Sequence, residues 1–238
     1  NVVSATGGDY HYYAGKNQLE RVSLGMDVAK EAQRNLSAKG TFVYDLDGNL
    51  IEDKSKDMTI LYDYRGMPRE MTRAVVSAEG MVDSVRLTMF YDGSGNRITK
   101  RYERKGVSDA SWQLQLVTHY TGLGSEIREG ESSAKVVVNM PQGLGRYTVS
   151  DAQRSGSESP GFEWYLKNHI GSTMLVFGTG SGSGGVKAAY DYRAFGERVS
   201  LVVSSEKVTE EFTGKELDEE SGLNYFGARY YDAELGVW

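Results

Sequence analysis

Cysteine is absent from these 238 residues, and proline and histidine occur three times each. A chain without thiols can build neither a disulfide framework nor a Cys-ligated zinc site. The redox compartment stays open, because such a chain tolerates oxidising surroundings without requiring them. His11, His119 and His169 lie far apart with no i, i+4 partner, so no metal site is expected. Basic charge is in short supply too. Lys and Arg number 27 against 33 Asp and Glu, for a net charge of −6, which argues against a general grip on nucleic acid. Long apolar runs are missing: Val136–Val138 and Thr173–Phe177 fall far short of the roughly 20 residues a membrane-spanning helix needs. The chain begins with Asn1 and carries no basic-then-apolar leader. We read it as a segment excised or processed from something longer.

What is present in excess is glycine, at 29 residues, and tyrosine, at 16 against 7 phenylalanines. A helical bundle would not carry so many helix breakers at about 1 kcal/mol each. Collagen is excluded by the missing G-X-Y period and the shortage of proline. Both residues belong to a recurring block: an aromatic, often followed by Asp, with Gly four places after the aromatic and then a branched apolar residue. Clear copies are Tyr44-Asp45 with Gly48, Tyr62-Asp63 with Gly66, and Tyr91-Asp92 with Gly95. Weaker ones are Tyr120 with Gly124 and Tyr192 with Gly196, and Tyr13 to Leu19 is a degenerate first copy. The irregular spacing suits hairpins of variable length rather than a solenoid with a fixed rung.

Each block reads as strand, tight turn, strand. Aromatic and β-branched residues favour pleated positions, and Asp, Gly and Asn supply turn residues that accept positive φ. The alternation beyond each turn predicts an antiparallel sheet with one buried and one wet face. Further strands are expected at Trp112–Tyr120, Ala134–Asn139, Arg146–Ser150, Trp164–Leu166, Met174–Phe177, Val199–Val203, Thr209–Thr213 and Leu223–Tyr231. Only Met26–Leu36 reads as helical, and Arg154–Gly161 and Gly178–Gly185 read as exposed loops.

Several tempting sites reduce to structure. Gly180 to Gly185 satisfies G-x-G-x-x-G but leads into another strand-like block instead of a helix, so it reads as a loop. Asp45-x-Asp47-Gly48-Asn49 has its glycine one place too early for a calcium loop, and Lys56 stands where the bidentate Glu belongs. The acidic run Glu216-x-Asp218-Glu219-Glu220 reads as a solvated turn instead of a glycosidase carboxylate pair. Tyrosine-bearing strands could stack on surface glycans, although packing with a polar tip explains them more economically. No cofactor is expected.

The Tyr-Asp…Gly blocks resemble the YD repeats of RHS-type proteins. Trp164 to Thr173, which contains His169 and Gly171, resembles an element of that family in which Asn168 takes the place of the usual Asp. Ala189 to Gly196 resembles a second. Phe212 to Asp232, with Gly227, Ala228, Arg229, Tyr230 and Tyr231, resembles the RHS-associated core. The resemblance implies an all-β fold: antiparallel hairpins in a curved, spiralling sheet, residues 1-150 forming the YD-repeat strip and 151-238 a partial core continuous with it. It implies a shell segment that encloses a C-terminal polypeptide, commonly a toxin, in a secreted or surface bacterial protein. Its partners would be that payload and the rest of the shell. Related shells occur in insecticidal toxin complexes, wall-associated proteins and teneurins. The family cuts its payload free with an arginine and two downstream aspartates. Arg229 matches the arginine, but the downstream D-P-x-G segment and second aspartate do not appear, so these residues alone are expected to be non-enzymatic. The bland reading of Arg229 is a strand residue paired to a carboxylate. A second reading, of a different class, is a cell-surface glycan-binding module.

Overall fold

In the computed structural model, residues 8–24, 34–76, 80–130, 134–150, 161–178, 185–203 and 208–238 are described. Most of the expected helix at Met26–Leu36, the Arg154–Gly161 loop and the glycine run after Gly178 lie outside them. Two compact units divide the chain, one of residues 1–88 with 104–112 and one of residues 89–103 with 113–238. The first contains β1 (Asp9–Tyr12), β2 (Leu19–Ser23), β3 (Phe42–Tyr44), β4 (Leu50–Asp53), β5 (Met58–Tyr62), β6 (Pro68–Val76) and most of β7 (Val82–Tyr91). Its buried core includes Val22, Leu36, Phe42, Met58, Met71 and Leu87.

The second unit holds most of β8 (Arg97–Lys105), then β9 (Gln113–Tyr120), β10 (Ser125–Gly130), β11 (Ala134–Asn139) and β12 (Gly145–Ser150). After these come β13 (Gly161–Lys167), β14 (Thr173–Gly178), β15 (Gly185–Tyr192) and β16 (Arg198–Val202). Strands β3 to β16 form one sheet in chain order with antiparallel pairing, as hairpin connections dictate. A separate three-stranded sheet closes the chain: β17 (Glu216–Asp218), β18 (Leu223–Tyr225) and β19 (Tyr230–Tyr231). The fold is all-β, as the sequence predicts. No helix among the described residues is long and apolar enough to cross a membrane.

The repeat block is a turn with a built-in cap. In the first copy the Asp45 N–H donates to the Asn49 carbonyl at 3.0 Å, and the Gly48 N–H donates back to Asp45. The Asp45 carboxylate accepts from the backbone N–H groups of Asp47 and Asn49 and from the Asn49 side chain. Asp63 and Asp92 repeat the arrangement. Thr121 does so with its hydroxyl, and Asn168 with its amide oxygen. Asn168 therefore keeps the cap that Asp45, Asp63 and Asp92 supply at their turns. His169 is exposed in that turn. The glycine alone carries the positive φ, between +74° and +92° at Gly48, Gly66, Gly95, Gly124, Gly171 and Gly196. The asparagines serve as caps, not as the left-handed residues expected of them. Behind the turn, the Tyr62 hydroxyl donates to the Leu50 carbonyl and the Tyr192 hydroxyl to the Thr173 carbonyl, each at 2.9 Å. Burial pushes the Tyr44 phenol up to about 12. Tyr91 is half-buried.

These caps make the turns acid-sensitive. The side chain of Asn49 holds the Asp45 carboxyl below its usual range, and Asn96 does the same for Asp92. At Asp63, burial works the other way but is outweighed by the N–H groups of Met67 and Arg65 and by the Arg65 guanidinium. A carboxylate with a lowered folded pKa stabilises the fold above its unfolded value, about 3.9, and loses that contribution as pH falls through the folded value. Thermal midpoints measured from pH 6 to pH 2 should fall below about pH 4. The triple variant Asp45→Asn, Asp63→Asn, Asp92→Asn should show a shallower fall over the same range. An unchanged profile would contradict the capping role.

Three sequence expectations are corrected. Thr209–Thr213 is not a strand: Phe212–Gly214 is a single helical turn with Thr213 at φ +50°, and the Glu211 and Thr173 backbones bond each other instead of extending a ladder. Leu223–Tyr231 is two strands, because the Phe226 N–H bonds the Arg229 carbonyl across a bend that contains Gly227 at φ +91°. The wet face of the sheet is not polar throughout. On β10 to β15, pairing places Ile127 against Val136, Val138 against Tyr147, Tyr147 against Phe162, Trp164 against Phe177 and Phe177 against Val186. Most of these side chains are exposed. The alternation is real, but the outward positions are filled with apolar residues.

Candidate functional site

Within the second unit, the two faces of β9 to β15 have opposite fates. The inward rows, Val137 and Thr148 on one side and Tyr165, Val176 and Ala188 on the other, are buried. Tyr165, Val176, Ala188 and Tyr190 pack with Val208 at the start of the C-terminal segment, with Tyr192 alongside. The outward face is the apolar one. Its rows cross six strands, about 24 Å at the usual spacing, and include ring contacts of Phe162 with Tyr147 at 4.8 Å and with Trp164 at 6.3 Å. Soluble monomers rarely leave an apolar patch of that extent open to water, and such patches mark interaction surfaces.

Residues 208–238 dock on the inward face through charge. This segment has eight acids and two bases, so it accounts for the whole net charge of −6, and the rest of the chain balances to zero. Its acids meet cations that project from the sheet. Arg97 and Lys100 on β8 are 1% and 2% exposed at the side chain and face Glu216 and Asp218 of β17. The Arg97 guanidinium donates to Asp218 at 2.6 Å, to Glu216, to the Tyr230 hydroxyl at 2.8 Å and to the Tyr120 hydroxyl at 2.8 Å. Lys100 donates to Glu216 at 3.2 Å and to Asp218, with Glu220 at 3.6 Å. Tyr120 in turn donates to Glu216 and Tyr230 to Asp218, each at 2.9 Å. The Tyr225 ring lies under the guanidinium, 3.9 Å from centroid to carbon.

Burial alone would pull the Lys100 ammonium's pKa down, but Asp218, Glu216 and Glu220 together hold it well above the ordinary value. Arg97 is raised in the same way, chiefly by Asp218 against burial. A raised lysine stabilises the fold fully below its unfolded pKa, about 10.4, and loses that only as pH climbs through the folded value. Burial drives the Tyr120 and Tyr230 phenols upward, so both stay protonated donors. Glu216 and Asp218 were expected in a solvated turn. They are instead buried strand residues, because their partners lie over a hundred positions upstream, where local pattern does not reach.

The docking continues along the sheet. Arg128 joins Glu126 at 2.8 Å and the Thr209 hydroxyl at 2.7 Å, Lys167 pairs with Glu210, and Arg198 reaches Glu211 at 2.6 Å and Glu219 at 3.0 Å. An aromatic chain seals the far end: Phe212 between Tyr192 and Tyr231, then Phe226 and Trp238. The Tyr231 hydroxyl donates to the Phe195 carbonyl. A cleft of about 390 Å³ opens beside Arg97, with Asn96, Tyr120, Asn139, Lys215 and Phe226 among its walls. Arg229 is not on a strand and pairs with no carboxylate among the described residues. It sits exposed on the bend before β19 with its guanidinium 5.0 Å from the Trp238 ring. Among the described residues, no group of three His, Asp or Glu is arranged to hold a metal ion.

Of the residues singled out from sequence, Tyr192 and Gly196 lie against this docked segment, which itself contains Gly227, Arg229, Tyr230 and Tyr231. The turn residues Tyr44, Asp45, Tyr62 and Asp63 stay with the first unit. Arg97, Lys100 and Tyr120 went unnoticed as site residues. The acidic imbalance of the last 31 residues was the available signal.

No family model matches the chain. A relative in Aedes aegypti, "Salivary gland surface protein 1", is 40% identical over 234 residues, which is 94% of this chain and 6% of that protein. Among solved structures, TcdB2-TccC3-TEV matches 96% of this chain at a TM-score of 0.62 and 17% identity. The Photorhabdus luminescens Tc holotoxin pore matches 95% at 0.61 and 18%. The chain spans 11–12% of those chains. At that identity the likeness establishes the fold, which is the RHS-like β-shell fold of the TccC3-containing assemblies.

Proposed function

We propose that this chain is a wall segment of a β-shell that encloses a second polypeptide, part of a longer secreted or surface protein that holds a payload until delivery. The observation that carries the reading is the open apolar face of β10 to β15, with Phe162, Trp164 and Phe177 at its centre, on a sheet whose other face is sealed by residues 208–238. A wall of this kind offers an unfolded chain non-directional burial without demanding a particular sequence. The shell fold of the solved neighbours and the small share of them that the chain covers both favour a segment of a larger container. The relative's name speaks for a surface setting, and its mosquito source carries this sequence type beyond the bacteria that the family resemblance implied. The reading is non-enzymatic for these residues. In the longer protein, Arg229 is the position through which self-cleavage would run.

The test is binding of a permanently unfolded protein. Fluorescently labelled, reduced and carboxymethylated α-lactalbumin, followed by anisotropy, should bind saturably with a dissociation constant on the order of micromolar. Native α-lactalbumin should not bind. Trp164→Glu with Phe177→Lys should abolish the interaction and leave the β-type circular dichroism unchanged. Equal binding by that variant, or none by the original chain, would remove the proposal.

A further inference from the structure

The docking of residues 208–238 has a property that the shell reading does not require. Among the described residues the segment shares no ladder with the large sheet, and β17, β18 and β19 pair with one another. Its attachments are side-chain ion pairs, a few hydrogen bonds such as Thr173 to Glu211 and Glu210, and the apolar contacts of Val208 and Phe212. Throughout, the sheet supplies the cations and the segment supplies the carboxylates: Arg97 and Lys100 to Glu216 and Asp218, Lys167 to Glu210, Arg198 to Glu211 and Glu219. That is how one molecule recognises another, with polarity fixed on each side and the register set by paired charges.

We infer that the inward face of β8 to β16 is a recognition site for an acidic peptide, filled here by the chain's own residues 208–238, and that the segment stays seated by side-chain recognition without its covalent link. The central contact reads a Glu-x-Asp pair: Glu216 and Asp218 point the same way from β17, and Arg97 and Lys100 each touch both. Tyr120 on β9 supplies a further donor to Glu216 from the face, while Tyr230 arrives with the segment and donates to Asp218 within it, so the incoming carboxylates meet Arg97, Lys100 and Tyr120 already arranged. Being buried, these contacts are screened little by salt. A cut in the chain ahead of the segment would therefore not unseat it.

The experiment places a protease recognition sequence between Val203 and Val208 of the full chain, cuts it, and follows the released piece by size-exclusion chromatography. The cut chain should co-elute as one species at neutral pH, in 50 mM and in 500 mM salt. Lys100→Glu should weaken retention by about 100-fold or more. Lys100→Glu with Asp218→Lys should restore most of it. Circular dichroism of the uncut variants establishes that they fold. Should Lys100→Glu not fold, Arg198→Glu, at a half-exposed position, should still give a measurable loss of retention. Separation of the two pieces on cutting the original chain would overturn the inference. So would undiminished retention in the charge variants, which would make the docking apolar. Neither result depends on whether the outward face binds unfolded protein.

Discussion

Replacing Lys100 with Met should lower the free energy of unfolding by about 3–5 kcal/mol, because removing one partner of a buried ion pair leaves the others uncompensated. Few single substitutions in this chain should cost as much. Lys100 is enclosed, and its ammonium touches Glu216 and Asp218, with Glu220 close by. Without it, Arg97 alone must balance the enclosed Asp218 and the largely buried Glu216. Asp218→Leu should cost a similar amount. The double variant Lys100→Met, Asp218→Leu should cost clearly less than the sum, since it removes one charge of each sign and leaves Arg97 with Glu216. Denaturant midpoints for the four proteins give the comparison directly. Additive losses, or a loss under about 1 kcal/mol for Lys100→Met, would contradict the buried network.

The second large effect concerns two glycines with the same backbone and different surroundings. Gly171 and Gly196 both end the repeat turn with positive φ, +83° and +92°. A Cβ at Gly171 would meet nothing, whereas at Gly196 it would lie 2.5 Å from two ring atoms of Phe212. Gly171→Ala should therefore cost only the left-handed conformation, about 1–2 kcal/mol. Gly196→Ala should add about 1–3 kcal/mol of overpacking. The Phe212 ring cannot simply retreat, because Tyr192 stands on one side of it and Tyr231 on the other, at 5.8 and 6.2 Å. Gly196→Ala should thus disturb the docked segment as well as the turn. Hydrogen exchange within 208–238 should quicken in that variant and stay unchanged in Gly171→Ala. Equal midpoints for the two variants would show that Phe212 does not pack on this turn as described.

The turns were legible in the sequence because everything they need lies within five residues: a cap, a left-handed glycine and the next strand. Asp45 with Asn49 and Asp92 with Asn96 are local exchanges between side chain and backbone, and Asn168 makes the same one with its amide oxygen. All-β architecture and chain-order pairing follow from such turns almost without further information. The cluster at Arg97 and Lys100 was illegible for the opposite reason. Period and propensity describe neighbours along the chain, and nothing local distinguishes an acid that will be buried against a distant lysine from one in a solvated turn. The apolar outer face was hidden by the rule that outward positions are polar. Phe162, Trp164 and Leu166 alternate with Glu163, Tyr165 and Lys167, so the pattern alone marks the apolar row as the sealed one; the charged row is sealed instead because Arg146 and Glu210 match its Glu163 and Lys167. Arg229 illustrates a further limit: its sequence motif is a resemblance only, and its neighbour in space, Trp238, comes from the fold.

Whether the outward face of β10 to β15 is the wall against an enclosed polypeptide, as we propose, is read most directly by photo-crosslinking from adjacent positions of β13. Trp164 points to the open face and Tyr165 to the sealed one. In the shell assembly proposed above, a benzophenone amino acid at position 164 should crosslink to the enclosed polypeptide, and the same group at position 165 should crosslink to residues 208–238. Crosslinks from position 164 that reach only proteins outside the particle, or only solvent-quenched product, would place the face on the exterior and contradict the account.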